Sequence, residues 1–260
     1  MFTLTDGTGG ENRNGWFAFP LYVGAFQASF TYQDIGGGGA DGVGFVIQND
    51  PRGPTALGLS GGGLAYAGIT SSVAVLFNIF PGAPGGPSGV MLGTNGVGAY
   101  DGSGALSGKS YQSTAPVNLD MGNPIAVALR YTGGILQVSL TDTVTSVNFQ
   151  TNIAVNIPAF TGTNVAWVGI TGSEGGILSH QVVSNFTYRP LPTLAISSQP
   201  GSLVFTWPAT VYGFNLQSNA NLNNIGGWQS VGATVAQANN LNQVIIPSPT
   251  GAQFYRLVLP

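Results

Sequence analysis

The chain has no cysteine, and only 6% of its 260 residues are charged. The absence of cysteine excludes disulfide frameworks, thiol catalysis and cysteine-based zinc sites. Globular proteins usually carry about 25% charged residues, so this surface must consist mainly of uncharged polar groups. The six basic residues form no basic stripe, which argues against a nucleic-acid partner. No apolar run approaches the roughly 18–20 residues that span a bilayer, so we expect no membrane span.

Glycine is abundant instead, with 41 residues, and 43% of the chain is hydrophobic. Disordered chains combine low hydrophobicity with high net charge, whereas the formal net charge here is −3. The chain should therefore fold, and it is long enough to bury a sizeable core. A nearly uncharged surface lacks the self-repulsion that keeps copies apart, so it is also compatible with dense self-association.

Short strand-like runs fill the first part of the chain, and no extended apolar pattern at helical period occurs. Ala25–Tyr32 alternates apolar and polar residues, as a half-buried strand does. Val43–Gln48 and Ser72–Phe80 are rich in Val, Ile and Phe, as expected of strands. The other predicted strands are Phe2–Thr5, Trp16–Tyr22, Gly89–Thr94, Tyr111–Leu119, Ile125–Tyr131, Ile135–Asp142, Val147–Asn156, Ala166–Thr171 and Val182–Tyr188. Many short strands between turn signals predict an all-β sandwich.

The segment RPLP at Arg189–Pro192 interrupts this pattern and predicts a short, stiff linker at 190–192. Residues 1–189 form the first predicted domain. Residues 193–260 contain several short strands with candidate core aromatics, and they predict a second, smaller Ig/fibronectin-like β-sandwich. This second part resembles the small C-terminal β-sandwich modules of secreted proteins from some environmental bacteria, which imply no particular activity.

Four segments of the first domain resemble the L-type (legume-type) lectins and their bacterial relatives. They are ADG at Ala40–Gly42, GGGLAY at Gly61–Tyr66, SVAVLFNIF at Ser72–Phe80, and Trp167–Tyr188 with its WVGITGSEGG and HQVVSNFTY motifs. In the family, the third segment is a strand of the form VAVEFDTF, and the fourth holds a GF-ATG loop and a closing strand. The resemblance implies a concanavalin A-like jelly-roll sandwich for residues 1–189.

The resemblance also implies a carbohydrate site. In the family, the Asp of ADG and a glycine N–H bind one monosaccharide together, and these positions correspond to Asp41 with Gly62 and Gly63. Ser173 and Glu174 correspond to loop residues that shape specificity at the rim of the site. From the residues alone, the bare N–H groups of a triple glycine can approach a ligand closely. The alternative is that Asp41 only caps a turn beside the glycine that follows it.

The family's ligands for calcium and a transition metal are largely absent. Relatives that bind these ions use Glu and Asp in the VAVEFDTF strand, where Leu76 and Asn78 stand here, and the following loop PGAPGGP has no carboxylate. Calcium takes about six to eight oxygen ligands, and the single histidine, His180, does not make a site alone. We therefore expect no metal and no other cofactor. The loop that carries Asp41 must then be held by packing or hydrogen bonds.

Three patterns associated with enzymes lack the setting that their chemistry needs. GLSGG at Gly58–Gly62 fits G-x-S-x-G, but no strand–turn–helix surrounds it. The glycines at 37, 39 and 42 spell G-x-G-x-x-G without a helix to follow. Glycosidases need two carboxylates about 5–10 Å apart, and no predicted strand carries two. We expect no enzymatic activity.

Two functions remain open, and both place the protein outside the cell or on its surface. The first is a non-catalytic lectin-like protein that binds a glycan or polysaccharide for adhesion or glycan capture. The second is a self-assembling subunit of an extracellular filament, sheath or matrix, a homo-oligomer built by strand pairing. In the family an additional strand precedes a segment like FTLTDG, so its apparent absence would leave an open sheet edge that invites a neighbour's strand. The same absence is compatible with processing of an exported precursor.

Overall fold

The computed structural model describes residues 1–247 and 251–259, which divide into two compact units after Arg189. Residues 248–250 and 260 of the second predicted domain lie outside the described residues. The strands of the first unit are β1 (Phe2–Thr3), β2 (Asn12–Trp16), β3 (Leu21–Tyr22), β4 (Phe26–Asp34), β5 (Gly42–Gln48), β6 (Ser72–Asn78), β7 (Gly89–Thr94), β8 (Gln112–Ser113), β9 (Ile125–Thr132), β10 (Ile135–Asp142), β11 (Asn148–Ala154), β12 (Val165–Ser173) and β13 (Gln181–Pro190). One short helix, α1 (Ile157–Thr161), precedes β12. The prediction of an all-β chain is confirmed.

The strands of this unit form two antiparallel sheets. The six-stranded sheet has the order β1-β13-β4-β9-β10-β11. The seven-stranded sheet has the order β2-β12-β5-β6-β7-β8, and β3 pairs with the far end of β12. Some neighbours are consecutive strands, such as β9 and β10, but β1 pairs with β13 and β2 with β12, so long-range pairings close the sandwich.

A single large core fills the space between the two sheets. Phe30 on β4 packs edge-on against Phe77 on β6, with ring centroids 6.1 Å apart. Phe26 and Phe45 form a similar pair across the core at 6.0 Å. These separations are typical of favourable aromatic pairs. The alternating pattern of β4, with its apolar residues buried and its polar residues outward, follows from this arrangement.

The central strands of the seven-stranded sheet are buried on both faces. Leu76 and Met91 point away from the main core and pack under the loops that carry Leu64 and Tyr66. Strands β5 and β6 are therefore buried at every position, which explains their continuous apolar sequence. The loops at 53–71 and 95–111 cover this outer face, and they contribute residues to the candidate site.

Strand β2 corrects the sequence prediction, which placed a strand at Trp16–Tyr22 and none over residues 12–15. The polar run NRNGW pairs with β12, and the Nδ2 groups of Asn12 and Asn14 donate to the carbonyl oxygens of Gly58 and Ala56 at 3.0 and 2.7 Å. The strand is thus stabilised by tertiary partners and not by its own β-propensity, which is low for Asn and Gly.

Two other boundaries differ from the predictions. Only Gln112–Ser113 of the predicted strand Tyr111–Leu119 pairs, as β8, and its partners are the first two residues of β7. Strand β13 continues through Pro190, so the predicted linker at 190–192 begins inside a strand. A proline is tolerated at a strand end because no ladder hydrogen bond from its nitrogen is needed there.

The second unit, which begins at Pro190, is also built from β-strands. They are β14 (Ala195–Gln199), β15 (Ser202–Pro208), β16 (Asn215–Asn219), β17 (Gln229–Ser230), β18 (Ala236–Ala238), β19 (Leu241–Pro247) and β20 (Phe254–Val258). A four-stranded sheet, β14-β15-β19-β18, and a three-stranded sheet, β17-β16-β20, enclose a small core of Phe205, Trp207, Leu216 and Val244. Nowhere in the described ranges does a helix reach the length and hydropathy of a bilayer crossing.

Candidate functional site

A cleft of about 420 Å³ opens where the loops over the seven-stranded sheet meet the end of β12. Three loop segments line it, together with two aromatic side chains. The segments are 40–41, 59–63 and 175–177, and the aromatic side chains belong to Phe80 and Tyr100. The cleft therefore gathers the predicted Asp41 and triple glycine in one place, although they are separated along the chain.

Asp41 lies at the base of this cleft and is only 6% exposed. Its backbone N–H donates to the carbonyl oxygen of Ser173 at 3.0 Å, and its carbonyl oxygen accepts from the N–H of Ile79 at 3.1 Å. The peptide bond that joins it to Ala40 is cis. Main-chain bonds to two neighbouring strands thus fix the position from which the carboxylate projects.

Burial raises the pKa of the Asp41 carboxyl from 3.8 to about 6. The nearby N–H of Gly175 lowers this pKa, and the negative charge of Glu174 raises it. Desolvation is the largest of the three effects because a charged carboxylate is poorly stabilised when water is removed. At neutral pH the carboxyl is still mostly ionised, so it can accept hydrogen bonds. It has few hydrogen-bond partners within the protein.

Glycines surround the carboxylate where side chains would block it. A Cβ atom added to Gly175 would lie 3.2 Å from Oδ2 of Asp41, and one added to Gly61 would lie 3.6 Å from it. A Cβ on Gly62 would lie 2.3 Å from the ring of Tyr100. The backbone can reach both the carboxylate and the aromatic ring at this point only because the side chains are missing.

The triple glycine forms one turn of 3-10 helix, Gly61–Gly63. The N–H of Gly63 is occupied, since it donates to the carbonyl oxygen of Ser60 at 3.2 Å. Within the described part of the chain, the N–H groups of Gly61 and Gly62 have no acceptor. Of the two predicted glycines, Gly62 therefore presents a free donor and Gly63 does not, while Gly61 adds a free donor that the sequence did not single out.

A buried polar network holds the segment behind Asp41. Nε2 of Gln181 lies within hydrogen-bonding distance of the carbonyl oxygens of Ala40 and Ser173, at 3.2 and 3.0 Å. The hydroxyl of Ser179 also donates to the Ala40 oxygen. Gln181 is fully buried, so these bonds are shielded from water. The expected hydrogen-bonded support for this loop is present in the structure.

The positions of the family's ion ligands do not form an ion site here. The side chain of Leu76 lies in the apolar cluster under the loops. Nδ2 of Asn78 donates to the carbonyl oxygens of Phe80 and Gly86, both at 3.0 Å, so its amide fastens the loop that would otherwise surround an ion. Across 1–247 and 251–259, no three acidic or histidine side chains gather closely enough to hold a metal. The residues present do not fit the family's ion pair.

Ser173 and Glu174 do not lie at the rim, and their predicted placement is wrong. Both are fully buried. The hydroxyl of Ser173 donates to the carbonyl oxygen of Gly61 at 2.8 Å. The carboxylate of Glu174 accepts from the N–H groups of Gly9 and Ser179, both at 2.6 Å. Because these groups are engaged with the backbone, the two side chains position the cleft from below and are closed to a ligand.

The walls of the cleft come from residues that the sequence analysis did not select. Phe80 and Tyr100 are half-buried there, and Leu59 and Ile177 are 40% and 43% exposed. A tyrosine inside a loop of glycine and serine was the available signal, because such a loop has no core of its own to bury an aromatic ring. The cleft thus combines apolar walls with a polar base, as small-molecule sites commonly do.

The serine and histidine of the enzyme-like patterns, and one pair of neighbouring carboxylates, lie in the following surroundings. Ser60 precedes a single turn of 3-10 helix and not the helix of a nucleophile elbow, and His180 is exposed. Asp34 and Asp120 are two carboxylates that both accept from the N–H of Gly39, at 3.3 and 3.1 Å. Burial raises the pKa of Asp34 to about 6. This pair fastens the loop of four consecutive glycines, Gly36–Gly39, and does not line the cleft.

No family model and no curated protein matches the chain. Solved structures of legume lectins do resemble it. Arcelin-5, a lectin-like defence protein from Phaseolus vulgaris, is 15% identical with a TM-score of 0.55, over 72% of this chain and 84% of that one. The metal-free form of lectin I-B4 from Griffonia simplicifolia is 15% identical with a TM-score of 0.56, over 72% and 87%.

A third similar structure is basic winged bean lectin with Tn-antigen, which is 18% identical with a TM-score of 0.56, over 72% of this chain and 84% of that one. Identities this low show the fold alone. The chain has the concanavalin A-like sandwich of the legume lectins.

Proposed function

We propose that this protein is a non-catalytic carbohydrate-binding protein that acts outside the cell or on its surface. The observation that carries the proposal is a cleft with aromatic walls that is lined by the buried carboxylate of Asp41 and by Gly61 and Gly62, whose N–H groups have no acceptor among the described residues. The similarity in fold to lectins, one of which was solved with Tn-antigen, supports it.

The groups of the cleft match the groups of a sugar ring. A carboxylate accepts hydrogen bonds from two neighbouring hydroxyls, and such charge-assisted bonds are roughly twice as strong as neutral ones. The N–H of Gly61 or Gly62 can donate to a hydroxyl oxygen of the same sugar. The C–H face of the ring can then lie against Phe80 or Tyr100. Each feature alone is common in proteins, and their combination favours a monosaccharide unit.

We further propose that binding requires no cation. The amide of Asn78 and the network around Gln181 hold the loops that ions stabilise in the lectin family. Treatment with a chelator should therefore leave both melting temperature and glycan binding unchanged. A loss of binding that returns only with calcium would contradict this.

A glycan array tests the proposal, with the protein probed as wild type and as Asp41→Asn. The substitution preserves shape but removes the charge and one acceptor, so we expect glycan signals to fall at least tenfold. Asp142→Asn is the matched control, because Asp142 caps a turn after β10 and does not line the cleft. If no glycan binds wild type at millimolar concentration, carbohydrate binding is ruled out as the function.

One observation favours self-assembly as a second candidate function. Strand β1 pairs with β13 only at Phe2↔Val183 and Thr3↔Val182. In the described residues, the rest of this edge of the ten-residue β13 has no partner strand. An apolar groove beside it is lined by Phe2, Phe17 and Phe186, among others. An open edge beside an apolar groove is suited to receive a strand from a second copy.

Light scattering over a wide concentration range tests this second candidate. Assembly by edge pairing predicts a mass that grows with concentration, and filaments or sheets in electron micrographs. A constant monomer mass at the highest attainable concentration would remove it.

A further inference from the structure

The outward face of the six-stranded sheet is a second polar surface, distinct from the cleft. Alternate residues of β4, β9 and β10 are buried in the main core, and the residues between them point outward. Three shallow depressions adjoin one another on this face. The register of the strands arranges the outward side chains into rows that cross five strands.

The first row contains two arginines. Cross-strand pairing aligns Gln27 with Arg130, Arg130 with Gln137, and Gln137 with Asn152. Arg189 of β13 lies beside Gln27 in the same depression. The row therefore presents guanidinium, amide, guanidinium, amide and amide groups in succession.

The next two rows are uncharged and made of smaller residues. The hydroxyls of Thr187 and Ser29 are hydrogen-bonded at 2.8 Å, which fixes the register of β13 against β4 on this face. The second row contains Thr187, Ser29, Ala128, Ser139 and Gln150. The third contains Asn185, Thr31, Ala126, Thr141 and Asn148. Alanine and serine at the centre leave a trough, bordered by longer amides.

The charge on this face is positive, although the protein as a whole carries −3. Asp34 and Asp142, the carboxylates of the six-stranded sheet, are 1% and 4% exposed and do not belong to the outward rows. Arg130 and Arg189 are both exposed. Among the described residues, neither has a carboxylate at salt-bridge distance. Two unpaired guanidinium groups thus stand on a surface without anionic side chains.

We propose that this face binds an acidic polysaccharide, with the chain lying across the strands along the arginine row. A guanidinium group binds a carboxylate or sulfate through two parallel hydrogen bonds. The amides and hydroxyls of the three rows can bind sugar hydroxyls between the charged groups. Neighbouring strands lie about 4.8 Å apart, so the two arginines, which stand two strands apart, address anionic groups roughly 10 Å apart along one extended chain.

The outward rows also disfavour a nucleic acid. Proteins that bind single strands stack the bases on aromatic side chains, and none of the fifteen residues of the three rows is aromatic. Two guanidinium groups are few for phosphate neutralisation, on which nucleic-acid affinity mainly depends. Hydroxyl and amide groups around isolated cations match a glycan with spaced acidic groups.

The test measures binding of full-length protein to polygalacturonate, chondroitin sulfate and neutral dextran by affinity electrophoresis. Wild type should be retarded by the two acidic polymers and not by dextran, and salt should weaken the effect. Arg130→Gln and Arg189→Gln should each lower affinity about three- to fivefold, since each removes one exposed charged contact. The double variant should lose about tenfold or more.

Two matched variants make the result specific to this face. Lys109→Gln removes another exposed cation, on a loop away from the sheet, and should leave retardation unchanged. Arg256→Gln removes an exposed guanidinium of the second unit and should also leave it unchanged, which shows that an exposed arginine elsewhere does not suffice. Melting curves of all variants verify that each is folded.

Three results would overturn the inference. If the double arginine variant is retarded as strongly as wild type, the polysaccharide binds elsewhere on the protein. Equal retardation by dextran would show that the acidic groups are not recognised. A single-stranded oligonucleotide that binds more tightly than polygalacturonate through the same arginines would assign the face to polyphosphate instead.

Discussion

The side-chain amide of Gln181 donates a hydrogen bond to the backbone oxygen of Ala40 at 3.2 Å. Ala40 directly precedes Asp41, so one buried amide on β13 reaches the backbone that carries the cleft carboxylate. The same nitrogen lies 3.0 Å from the oxygen of Ser173, which in turn accepts from the N–H of Asp41. Buried protein groups thus hold the base of the cleft.

Replacing Gln181 by leucine should destabilise the protein and weaken the cleft. The substitution keeps a side chain of similar size but removes the donor to two buried carbonyl oxygens, and it also removes the acceptor of the Tyr32 hydroxyl. The two carbonyl oxygens keep another donor each, from Ser179 and Asp41, but the buried Tyr32 hydroxyl loses its acceptor. We expect the free energy of unfolding to fall by about 1–3 kcal/mol, which is the usual cost of a buried polar group left without a partner. Chemical denaturation measures the change.

The control for this substitution is Gln112→Leu. Gln112 is exposed and accepts one long bond, 3.3 Å, from Thr151. Its replacement should change the stability by about 0.5 kcal/mol or less. Equal losses in the two variants would show that the Gln181 network contributes nothing particular.

Glycan affinity should depend on pH through Asp41. The pKa of this carboxyl is about 6 in the ligand-free fold, and the ionised form is the better acceptor for hydroxyls. Affinity should be constant above about pH 7, fall to half near pH 6, and then decrease about tenfold for each further pH unit. Titration calorimetry over this range measures it, and Asp41→Asn should bind weakly without this profile.

The Asp41 carboxyl also makes the free energy of unfolding depend on pH, and in the opposite direction: its contribution falls as pH rises. Its folded pKa lies above the unfolded value near 3.8, so the folded state holds the proton more tightly than the unfolded state between these values. The stabilisation is fully present below about pH 4, declines as pH rises to about 6, and is absent above. Asp41→Asn should therefore be more stable than wild type at pH 7. A less stable variant would contradict the burial of an unpaired charge.

Gly62→Ala should close the cleft from one side. The new Cβ would lie 2.3 Å from the Tyr100 ring, and overpacking of this kind typically costs about 1–3 kcal/mol. We expect a lower melting temperature and weaker glycan binding. The double variant Gly62→Ala/Tyr100→Ala removes the clash. Its loss in free energy of unfolding should therefore be smaller than the sum of the losses in the two single variants. Strict additivity would show that the ring is not in contact.

Asn78→Asp should not restore a calcium site. The substitution returns a carboxylate to a position where the lectin family has one, but Leu76 and the loop Phe80–Gly86 add no anionic ligand. It also removes the donor to two carbonyl oxygens, so stability should fall by about 2–3 kcal/mol. Melting curves with and without calcium measure both effects. A rise in melting temperature with calcium would mean that more ligands are available than the structure shows.

Much of the fold could be predicted from local pattern. The apolar runs of β5 and β6 and the alternation of β4 carry the signal of strands, and their boundaries agree with the sequence to within two residues. Strand β2 could not be predicted, because Asn, Arg and Gly have low β-propensity and their strand depends on pairing with β12. Residues 111–119 contain alternating apolar residues, yet most of them pack without a partner strand.

The cleft was predictable in its base and not in its walls. Asp41 and the glycines belong to short motifs that can be read directly from sequence. Tyr100 reaches the cleft through the fold of a long loop, so its place among glycines and serines marks a ring that needs a partner but does not identify the cleft as that partner. Glu174 was misplaced for a related reason: a charged residue in a loop is usually exposed, but here two backbone N–H groups compensate for the burial of its carboxylate.

The central claim is tested most directly by titration calorimetry with a glycan selected on the array. The titrated proteins are chelator-treated wild type and chelator-treated Asp41→Asn. The claim is that a hydrogen-bonded framework, without ions, holds Asp41 ready to bind a sugar. It predicts saturable binding to stripped wild type, with an affinity that calcium does not change and that Asp41→Asn lowers at least tenfold. Binding that appears only after calcium is added, or that is equally strong in Asp41→Asn, would contradict it.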